Sequence, residues 1–418
     1  YPVSREQLAF LRAETVSGPH TGYNLPQFLP LPPECGLEAL RGALEALTAR
    51  HEILRTCFVR LEQPEPRMLV RAAVAVALPE LDFSCLEEAA AELIRPFDLR
   101  ETPLFRAALL RIDRLPEGTG GSSGNSGHKV LFFDIHHSLA DAKGVGILLR
   151  DLRDLLAGKT PPPVSLQQKD AAWRQHEEGP EALRAARAYW LDLYADGLPR
   201  TELAADFARP AWHTNRGAAC SFTLPEDLTR ELRRLAAACD ATLHSLLYAV
   251  WALLLSADAG SEDMVMAVAA DSRGVGFEET AGMFACLLPV RLSVARGQSV
   301  STLIRAAQRA NTEALRHKDF PLGSLMAELK PAVDLSRTLL SEVTFSYMNY
   351  GAETDEDAPY IVANSGCKAD LAIFVSDVAG GLRFGLEYYA DLFAPARMEA
   401  LGRRFAALAA SFAANGVR

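Results

Sequence analysis

The hydrophobic pattern divides the first part of the chain into helical and strand-like segments. Apolar residues recur every three to four positions over 37–50, which predicts an amphipathic helix. MLVRAAVAVAL, from Met68, and FRAALLRI, from Phe105, have the composition of strands. Between them, CLEEAAAELI predicts a short helix. The segments therefore alternate in type, as they do in α/β folds.

A second strand-to-helix passage contains an unusual polar group. KVLFFDIHH, from Lys129, is rich in β-branched and aromatic residues and predicts a strand that is buried on both faces. A helix is predicted from Gly144 onward, so HHSLAD occupies the turn between the strand and this helix. Such turns often hold reactive side chains on a rigid scaffold.

The second half has its own alternation of elements. A helix is predicted over LPEDLTRELRRLAAACDA, a buried helix over TLHSLLYAVWALLLSA and a strand over DMVMAVAADSR. The Pro-rich GKTPPPV, from Gly158, ends the Gly144 helix and predicts a division into lobes at 1–162 and 163–418. The Gly/Ser-rich stretch from Gly118 predicts a flexible surface loop.

Composition narrows the class of protein. The chain has 418 residues, of which 49% are hydrophobic, so it can bury a large core. Its net charge of −10, without a basic patch, argues against nucleic acid as a partner. The seven cysteines form no CxxC pair and predict reduced thiols in a cytoplasmic protein. The longest apolar run is too short to span a membrane, so no membrane association is expected.

A metal site and a purely structural role are two interpretations of the turn that stand beside a catalytic one. Adjacent strand residues point to opposite faces, so only one of His136 and His137 is expected to face away from the packed interior. The same adjacency disfavours a shared metal ion, because two ligands on a strand are normally spaced i, i+2. Both rings can equally be hydrogen-bonded core histidines, with Asp141 as the N-cap of the following helix.

The functional interpretation is acyl transfer with histidine as a general base. A histidine of near-neutral pKa can take the proton of an amine or hydroxyl group that attacks an acyl carbonyl. No GxSxG motif lies at a predicted strand-to-helix turn, and no cysteine has the sequence context of a nucleophile. The predicted reaction is therefore direct attack in a ternary complex, without a covalent enzyme intermediate.

HHSLADA resembles the HHxxxDG signature of the condensation domains of nonribosomal peptide synthetases, and further motifs of that family follow in the family's order. The similar segments are VSREQLAFL near the start, RHEILRTCF from Arg50, GMFACLLPVRL from Gly282, HKDFPLGSL from His317, VDLSRTLLSEVTFSYMNY from Val333, ADLAIFVSD and LEYYADLF. Together they cover nearly the whole chain.

The resemblance implies a fold, a reaction and partners. The family has an α/β fold of two lobes similar to chloramphenicol acetyltransferase, arranged as a V with a central tunnel. Phosphopantetheine arms of a donor and an acceptor carrier protein enter that tunnel from opposite sides. The acceptor's free amine attacks the donor thioester and an amide bond forms. The domain itself is expected to bind no cofactor or metal, and its further partners are neighbouring synthetase domains.

The resemblance also assigns roles at the turn. His137 is the second motif histidine and is expected at the reacting atoms, either accepting the amine proton or holding the amine and stabilising the tetrahedral intermediate. His136 is expected to pack behind it. Asp141 is expected to be structural, in an ion pair with Arg55 or, as a second candidate, Arg291. A buried carboxylate of this kind is tolerated when arginine neutralises it.

Two positions depart from the family pattern. Ala142 replaces the last motif glycine, and its methyl group could narrow the acceptor channel or exclude a positive φ. Gly144 and Gly146 are then expected to supply flexibility nearby. Cys286 stands where the family usually has asparagine, so altered substrate choice and reduced activity are both possible outcomes. The residues expected along the tunnel are Ala142, Gly144, Met283, Cys286, Ser346 and Asn349.

Alternative functions share the same superfold. They are ester formation with a hydroxyl acceptor, acyl transfer from coenzyme A, and an inactive domain that docks a carrier protein or a tailoring enzyme. The DFGWG motif of plant coenzyme A-dependent relatives is absent from the sequence. Heterocyclising relatives replace the motif histidines by aspartates, which excludes that reaction. Ala142 keeps the docking function open, whereas the intact His137 argues against it.

Overall fold

The structure is a computed structural model that describes most of the chain. The described residues are 1–18, 20–115, 127–332, 334–348, 360 and 366–415. The predicted Gly/Ser-rich loop falls outside these residues except for Gly127, and so does Asn349.

The chain forms two compact units. The first contains Tyr1–Gly179, the later segment Arg273–Ala285 and Tyr360. The second contains Pro180–Ser272 and the described residues of 286–352 and 363–418. A segment from the second half of the sequence is thus part of the first unit.

The described residues of the first unit form five α-helices and six strands. In chain order they are α1 (Arg5–Ser17), β1 (Asn24–Pro30), α2 (Leu37–Arg50), β2 (Thr56–Val59), β3 (Arg67–Val70), β4 (Glu80–Cys85), α3 (Leu86–Leu93), β5 (Phe105–Arg114), β6 (His128–His136), α4 (Ala142–Leu156) and α5 (Gln168–Glu178). The main sheet has the order β1-β6-β5-β4, and β2 pairs with β3 in a separate hairpin.

Strand β6 is central to this sheet and carries the motif histidines to its end. It is antiparallel to β1, with Asn24 opposite His136, and antiparallel to β5 on its other side. Every residue from Val130 to His136 is buried, which confirms the predicted strand with two covered faces. Because β6 is held on both edges and both faces, the position of the turn that follows it is fixed.

The second unit is built on a larger mixed sheet. Its elements are α6 (Arg184–Leu193), β7 (Gly217–Pro225), α7 (Glu226–Ala238), α8 (Leu243–Ala259), β8 (Asp263–Asp271), β9 (Ala285–Ser293), α9 (Val300–Arg316), α10 (Leu322–Leu329), β10 (Val343–Met348), β11 (Leu371–Val378), β12 (Gly381–Tyr389) and α11 (Pro395–Asn415). The strand order is β7-β12-β11-β10-β8-β9. Helix α8 is buried along most of its length, including Trp251 and Tyr248, as its apolar sequence predicts.

The predicted α/β class is confirmed, and the V-shaped arrangement with its tunnel stays a prediction. One predicted strand was wrong for most of its length, since β3 ends at Val70 and the residues after it are not in a strand. The carbonyl groups of Arg71 and Ala72 accept hydrogen bonds from the Arg55 guanidinium. A side chain therefore takes the place of a neighbouring strand.

The compact units divide the chain after Gly179, whereas the predicted lobe boundary lies after residue 162. Helix α5 belongs to the first unit because the Gln175 side chain accepts a hydrogen bond from the Arg5 amide at 2.8 Å.

Among the described residues, no helix by itself has the length and hydropathy to span a membrane. Helices α7 and α8 have this length and hydropathy only when they are taken together, and the pair is bent by 100° at its junction.

Candidate active site

His136, the last residue of β6, is a buried side chain with two polar neighbours. Its Nδ1 lies 3.2 Å from the Ser138 amide nitrogen and 2.7 Å from the Ser138 hydroxyl oxygen. Its Nε2 lies 3.3 Å from a carboxylate oxygen of Glu14 on α1. The rings of Tyr23 and Phe97 approach the imidazole edge-on. His136 is thus enclosed on several sides, as expected of the first motif histidine.

His137 differs from its neighbour in exposure. Its backbone amide donates a 2.7 Å hydrogen bond to the Tyr23 carbonyl, which fixes the start of the turn. Its ring is half-buried and packs on Phe10, with 4.8 Å between ring centroids. His136 is 1% exposed, and the contrast arises because β6 ends at His136 with both faces covered, whereas His137 is the first residue of the turn. His137 therefore has the more exposed imidazole of the two.

Asp141 is the N-cap of α4 and accepts four hydrogen bonds. Its Oδ1 accepts from the Gly144 amide at 2.6 Å, and its Oδ2 from the Phe284 amide at 2.9 Å. The Arg273 guanidinium donates to both oxygens, each at 2.9 Å. Four donors match the acceptor capacity of an ionised carboxylate, so the buried charge is fully compensated. The predicted N-cap is confirmed.

The arginine that pairs with Asp141 is Arg273, and neither predicted partner is correct. The Arg273 side chain is 2% exposed and lies over the Phe284 ring, 4.4 Å from its centroid. It also donates to the carbonyl groups of Thr280 and Gly282, each at 3.3 Å. One guanidinium thus joins the motif aspartate to the segment 273–285.

Arg55 instead stabilises the end of a helix. It follows α2, where its Nε donates to the Thr48 carbonyl at 3.0 Å and its Nη2 to the Ala49 carbonyl at 3.4 Å. Free carbonyl groups in the last helical turn attract cations, which accounts for this placement. Arg291 lies in the second unit, where it pairs with Asp196 and Asp263 at 2.6 and 2.7 Å.

Two other residues of the RHEILRTCF segment, Arg50 and His51, contact the side chain of Asp151 on α4. Arg50 Nε and His51 Nε2 lie 2.7 and 3.0 Å from the same carboxylate oxygen of Asp151. Burial opposes ionisation of Asp151, but the hydrogen bonds from His51, Arg50 and Arg150 outweigh it and hold its pKa well below the usual range. His51 thus has a structural role at Asp151.

Two glycines allow the segment 273–285 to approach α4 closely. A β-carbon on Gly144 would lie 2.7 Å from the Gly282 carbonyl oxygen, and one on Gly282 would lie 1.9 Å from Gln168 Oε1. The Gly282 carbonyl also accepts the Asp141 amide at 3.1 Å. Gly144 is therefore needed for close packing, which differs from the flexibility expected of it. Neither Gly144 nor Gly146 has a positive φ.

The remaining tunnel candidates fall in different parts of the chain. Ala142 is the exposed first residue of α4, and its φ is not positive. Met283 is buried in the first unit, where its carbonyl accepts from the Gln168 side chain at 3.3 Å. Cys286 and Ser346 lie in the second unit, both half-buried on strands. The Cys286 sulfur lies 3.6 Å from the Ala270 carbonyl oxygen.

Two ionisable groups near the histidines have shifted pKa values. Burial, together with the nearby Glu14 charge, raises the pKa of Tyr23 to about 12. Burial raises the pKa of Asp134 on β6 to about 6, although hydrogen bonds from Asn24 and Arg106 act in the opposite direction. Tyr23 is therefore neutral at physiological pH, and Asp134 titrates below it.

Sequence reasoning missed several residues of the site. Arg273 closes DMVMAVAADSR, and an arginine directly after a buried strand is a signal that its charge needs a partner. Gly282 opens the GMFACLLPVRL segment and could have been identified as a site of close backbone approach. Glu14 had a weaker signal, its spacing of four from Phe10 on a helix. Within the described ranges, no three His, Cys, Asp or Glu side chains are grouped as a metal site requires.

Comparison with known proteins identifies the family of the chain. The family model described as the Condensation domain matches residues 1–417. Tyrocidine synthase 3 of Brevibacillus parabrevis is 31% identical over 99% of the chain, which covers 6% of that protein. Surfactin synthase subunit 2 of Bacillus subtilis (strain 168) is 31% identical over 94% of the chain, which covers 11% of it. The chain thus spans a small part of the curated relatives it matches.

A solved structure has the same fold. It is the complex of the X-domain and OxyB from teicoplanin biosynthesis, with a TM-score of 0.83 and 24% identity. The alignment covers 99% of this chain and 93% of the matched one. The ordered motifs, the Asp141 site and the match over 1–417 lead to one conclusion: the chain belongs to the condensation-domain family of nonribosomal peptide synthetases.

Proposed function

We propose that the chain catalyses amide-bond formation between two carrier-bound substrates. An acceptor aminoacyl group and a donor acyl or peptidyl group are brought in as thioesters on phosphopantetheine arms. The acceptor nitrogen attacks the donor carbonyl carbon and gives a tetrahedral intermediate. Collapse of the intermediate breaks the C–S bond and releases the donor thiol, and the amide remains on the acceptor.

His137 is the residue that we assign to the reacting atoms. As the C–N bond forms, its imidazole takes the proton from the attacking nitrogen, and the imidazolium returns that proton to the thiolate that departs as the intermediate collapses. One observation carries this proposal, the difference in exposure between His136 and His137. The His136 ring is buried, whereas the His137 ring is half-buried and stands on a backbone that is fixed by the hydrogen bond to Tyr23.

The rest of the turn keeps that backbone in place. The His137 amide is bonded to Tyr23, and Asp141 is bonded to Arg273 and to two backbone amides. A fixed base is effective because the bound substrates need little further ordering to react. Asp141 and Arg273 act through geometry, and we assign them no contact with substrate.

A single-round transfer assay tests the proposal. Donor carrier protein loaded with an acyl thioester is mixed with aminoacyl-loaded acceptor and the domain, and intact-mass spectrometry follows the acceptor. Wild type is compared with His137→Ala and with His176→Ala, a control at an exposed histidine on α5. We expect wild type and His176→Ala to transfer the acyl group and His137→Ala to lose most of the rate, on the order of 10²-fold or more.

The alternatives give different results in the same assay. Transfer to a hydroxyacyl acceptor but not to an aminoacyl acceptor would indicate ester formation. Transfer from acyl coenzyme A without a donor carrier would indicate the soluble-donor reaction. Carrier-protein binding without transfer by wild type, for every pair tested, would contradict catalysis and favour a docking function.

A further inference from the structure

One face of α1 contacts the segment that contains the two motif histidines. Gln7, Phe10 and Glu14 are spaced i, i+3 and i+7, so they lie on the same side of the helix. Gln7 Nε2 donates to the Ser138 carbonyl at 3.1 Å. Phe10 packs against the His137 ring, and Glu14 contacts the His136 ring.

Along the helix, Gln7, Phe10 and Glu14 thus contact three successive residues in reverse order, namely Ser138, His137 and His136. The motif turn therefore rests on a rigid helical surface. The N-terminus of α1 is itself fixed, since Ser4 and Gln7 form a capping box. Gln7 is completely buried, so its contact with the turn is shielded from water.

The hydrogen bonds around His136 determine which ring nitrogen carries its proton. The Ser138 backbone N–H can only donate, and it points to Nδ1 at 3.2 Å. Nδ1 therefore presents its lone pair to this N–H and to the Ser138 hydroxyl 2.7 Å away, which can also donate, and a neutral ring then carries its proton on Nε2. The Nε2–H group is directed to the Glu14 carboxylate oxygen 3.3 Å away.

Glu14 is well placed to select this tautomer. It is only 9% exposed, and an ionised carboxylate can accept hydrogen bonds but cannot donate them. A proton on Nδ1 would leave Nε2 facing the carboxylate with a lone pair and would also clash with the Ser138 N–H. Both ends of the ring therefore favour the same tautomer and the same ring orientation.

We propose that Glu14 is a positioning residue for the condensation reaction: by accepting the His136 Nε2–H, it fixes the His136 ring, which in turn fixes the Ser138 amide and the backbone that presents His137. This inference rests on the proposed function of His137. Glu14 touches no reacting atom in this scheme. Its effect reaches His137 through the adjoining backbone.

The first test does not depend on activity. Protein with ¹⁵N-labelled histidine rings is compared by NMR, and the His136 signals are assigned from their loss in His136→Asn. We expect a protonated Nε2 and a bare Nδ1 in wild type and in Glu14→Gln, whose amide oxygen still accepts. In Glu14→Leu the signals should shift toward a mixture of tautomers. An Nδ1–H tautomer in wild type would overturn the proposal.

The second test uses the same variants in the transfer assay, with thermal unfolding as a check of folding. Glu14→Leu should lower the single-turnover rate about 10-fold or more with little change in the acceptor concentration that gives half-maximal rate. Glu14→Gln should restore most of the rate. Arg12→Leu, an exposed change on the same helix, serves as the matched control and should behave as wild type.

Two kinetic outcomes would contradict the positioning role. Equal rates for wild type and Glu14→Leu would show that the contact does not matter. Equal losses in Glu14→Leu and Glu14→Gln would show that the charge matters and the hydrogen bond does not. If wild type transfers no substrate while the NMR result is as expected, the proposed function fails and the assignment of the His136 tautomer to Glu14 stands.

Discussion

Asp134 and Asp141 are two buried carboxylates at either side of the histidine pair, and they are compensated very differently. Asp141 accepts from Arg273 through both oxygens and from the amides of Gly144 and Phe284. Asp134 accepts from Asn24 at 2.6 Å and from Arg106 at 3.3 Å, both through Oδ2. Its Oδ1 has no hydrogen-bond partner among the described residues.

The difference shows that burial alone does not decide how a carboxylate affects the stability of the fold. At Asp141 the donors come from a helix N-terminus and from a distant segment, so the charge holds two pieces of chain together. At Asp134 the donors are fewer, and burial raises the pKa to about 6. Asp141 is a structural link between two parts of the chain, whereas Asp134 is a carboxylate whose ionised form is disfavoured by burial.

The largest effect is expected from breaking the link at Asp141. Arg273→Met leaves the buried carboxylate without its guanidinium and should lower the free energy of unfolding by about 3–5 kcal/mol. Urea denaturation at neutral pH measures the change. Arg106→Met is the matched variant at the other carboxylate and should cost only about 1–2 kcal/mol, since Asn24 still donates to Asp134.

A second variant shows whether the loss comes from the uncompensated charge. Asp141→Asn combined with Arg273→Met removes both charges and should be more stable than Arg273→Met alone. Equal losses in the free energy of unfolding for Arg273→Met and Arg106→Met would contradict the difference that we infer between Asp141 and Asp134.

The next effect concerns the pH dependence of stability at Asp134. Its folded pKa of about 6 lies above the unfolded value, so the folded state binds more protons between about pH 4 and 6. The contribution of Asp134 to stability is therefore complete below about pH 4 and is lost as the pH rises to above 6. The loss amounts to roughly 2–3 kcal/mol.

Asp134→Asn removes this titration. The stability of wild type relative to the variant should decline between about pH 4 and 6 and then level off, as measured by urea denaturation across that range. Asp113→Asn, at an exposed position on β5, should leave the pH profile unchanged. Parallel profiles for wild type and Asp134→Asn would contradict a raised pKa.

A smaller effect is expected where the segment 273–285 approaches α4. Gly144→Ala places a methyl group against the Gly282 backbone and should lower the free energy of unfolding by about 1–3 kcal/mol. Gly146→Ala, two residues further along the same helix, meets open space and should raise it by about 0.5–1 kcal/mol. Thermal unfolding of both variants measures the difference, and effects of the same sign would rule out the close contact.

Local patterns in the sequence were enough to predict the elements that carry the site. The apolar run that ends at His136 predicts β6 with both faces buried, and the position of Asp141 ahead of a helix predicts its N-cap role. Both depend on residues close together in the chain. The exposure difference between His136 and His137 has another cause than the predicted strand alternation, since β6 ends at His136 and His137 begins the turn.

The partners of those residues could not be predicted in this way. Arg273 meets Asp141 only because a later segment belongs to the first unit, and no local pattern encodes that contact. Arg55 was a reasonable candidate by motif, but the end of α2 offered it nearer carbonyl groups. The strand predicted beyond Val70 failed for the same reason, because the Arg55 guanidinium takes its carbonyl groups.

The smallest effect is expected at Ala142, the position where the motif departs from glycine. Ala142 begins α4 with an exposed side chain and a φ that is not positive, so the methyl group causes no backbone strain. Ala142→Gly should lower the free energy of unfolding by about 0.5–1 kcal/mol, since glycine loses more backbone entropy in a helix. The transfer rate should stay within about twofold of wild type, because the Asp141 links that hold the turn are made by other residues. A rate increase of about 10-fold or more in the single-round assay would contradict this and would show that the methyl group, at the exposed edge of a fully bonded turn, obstructs the acceptor arm.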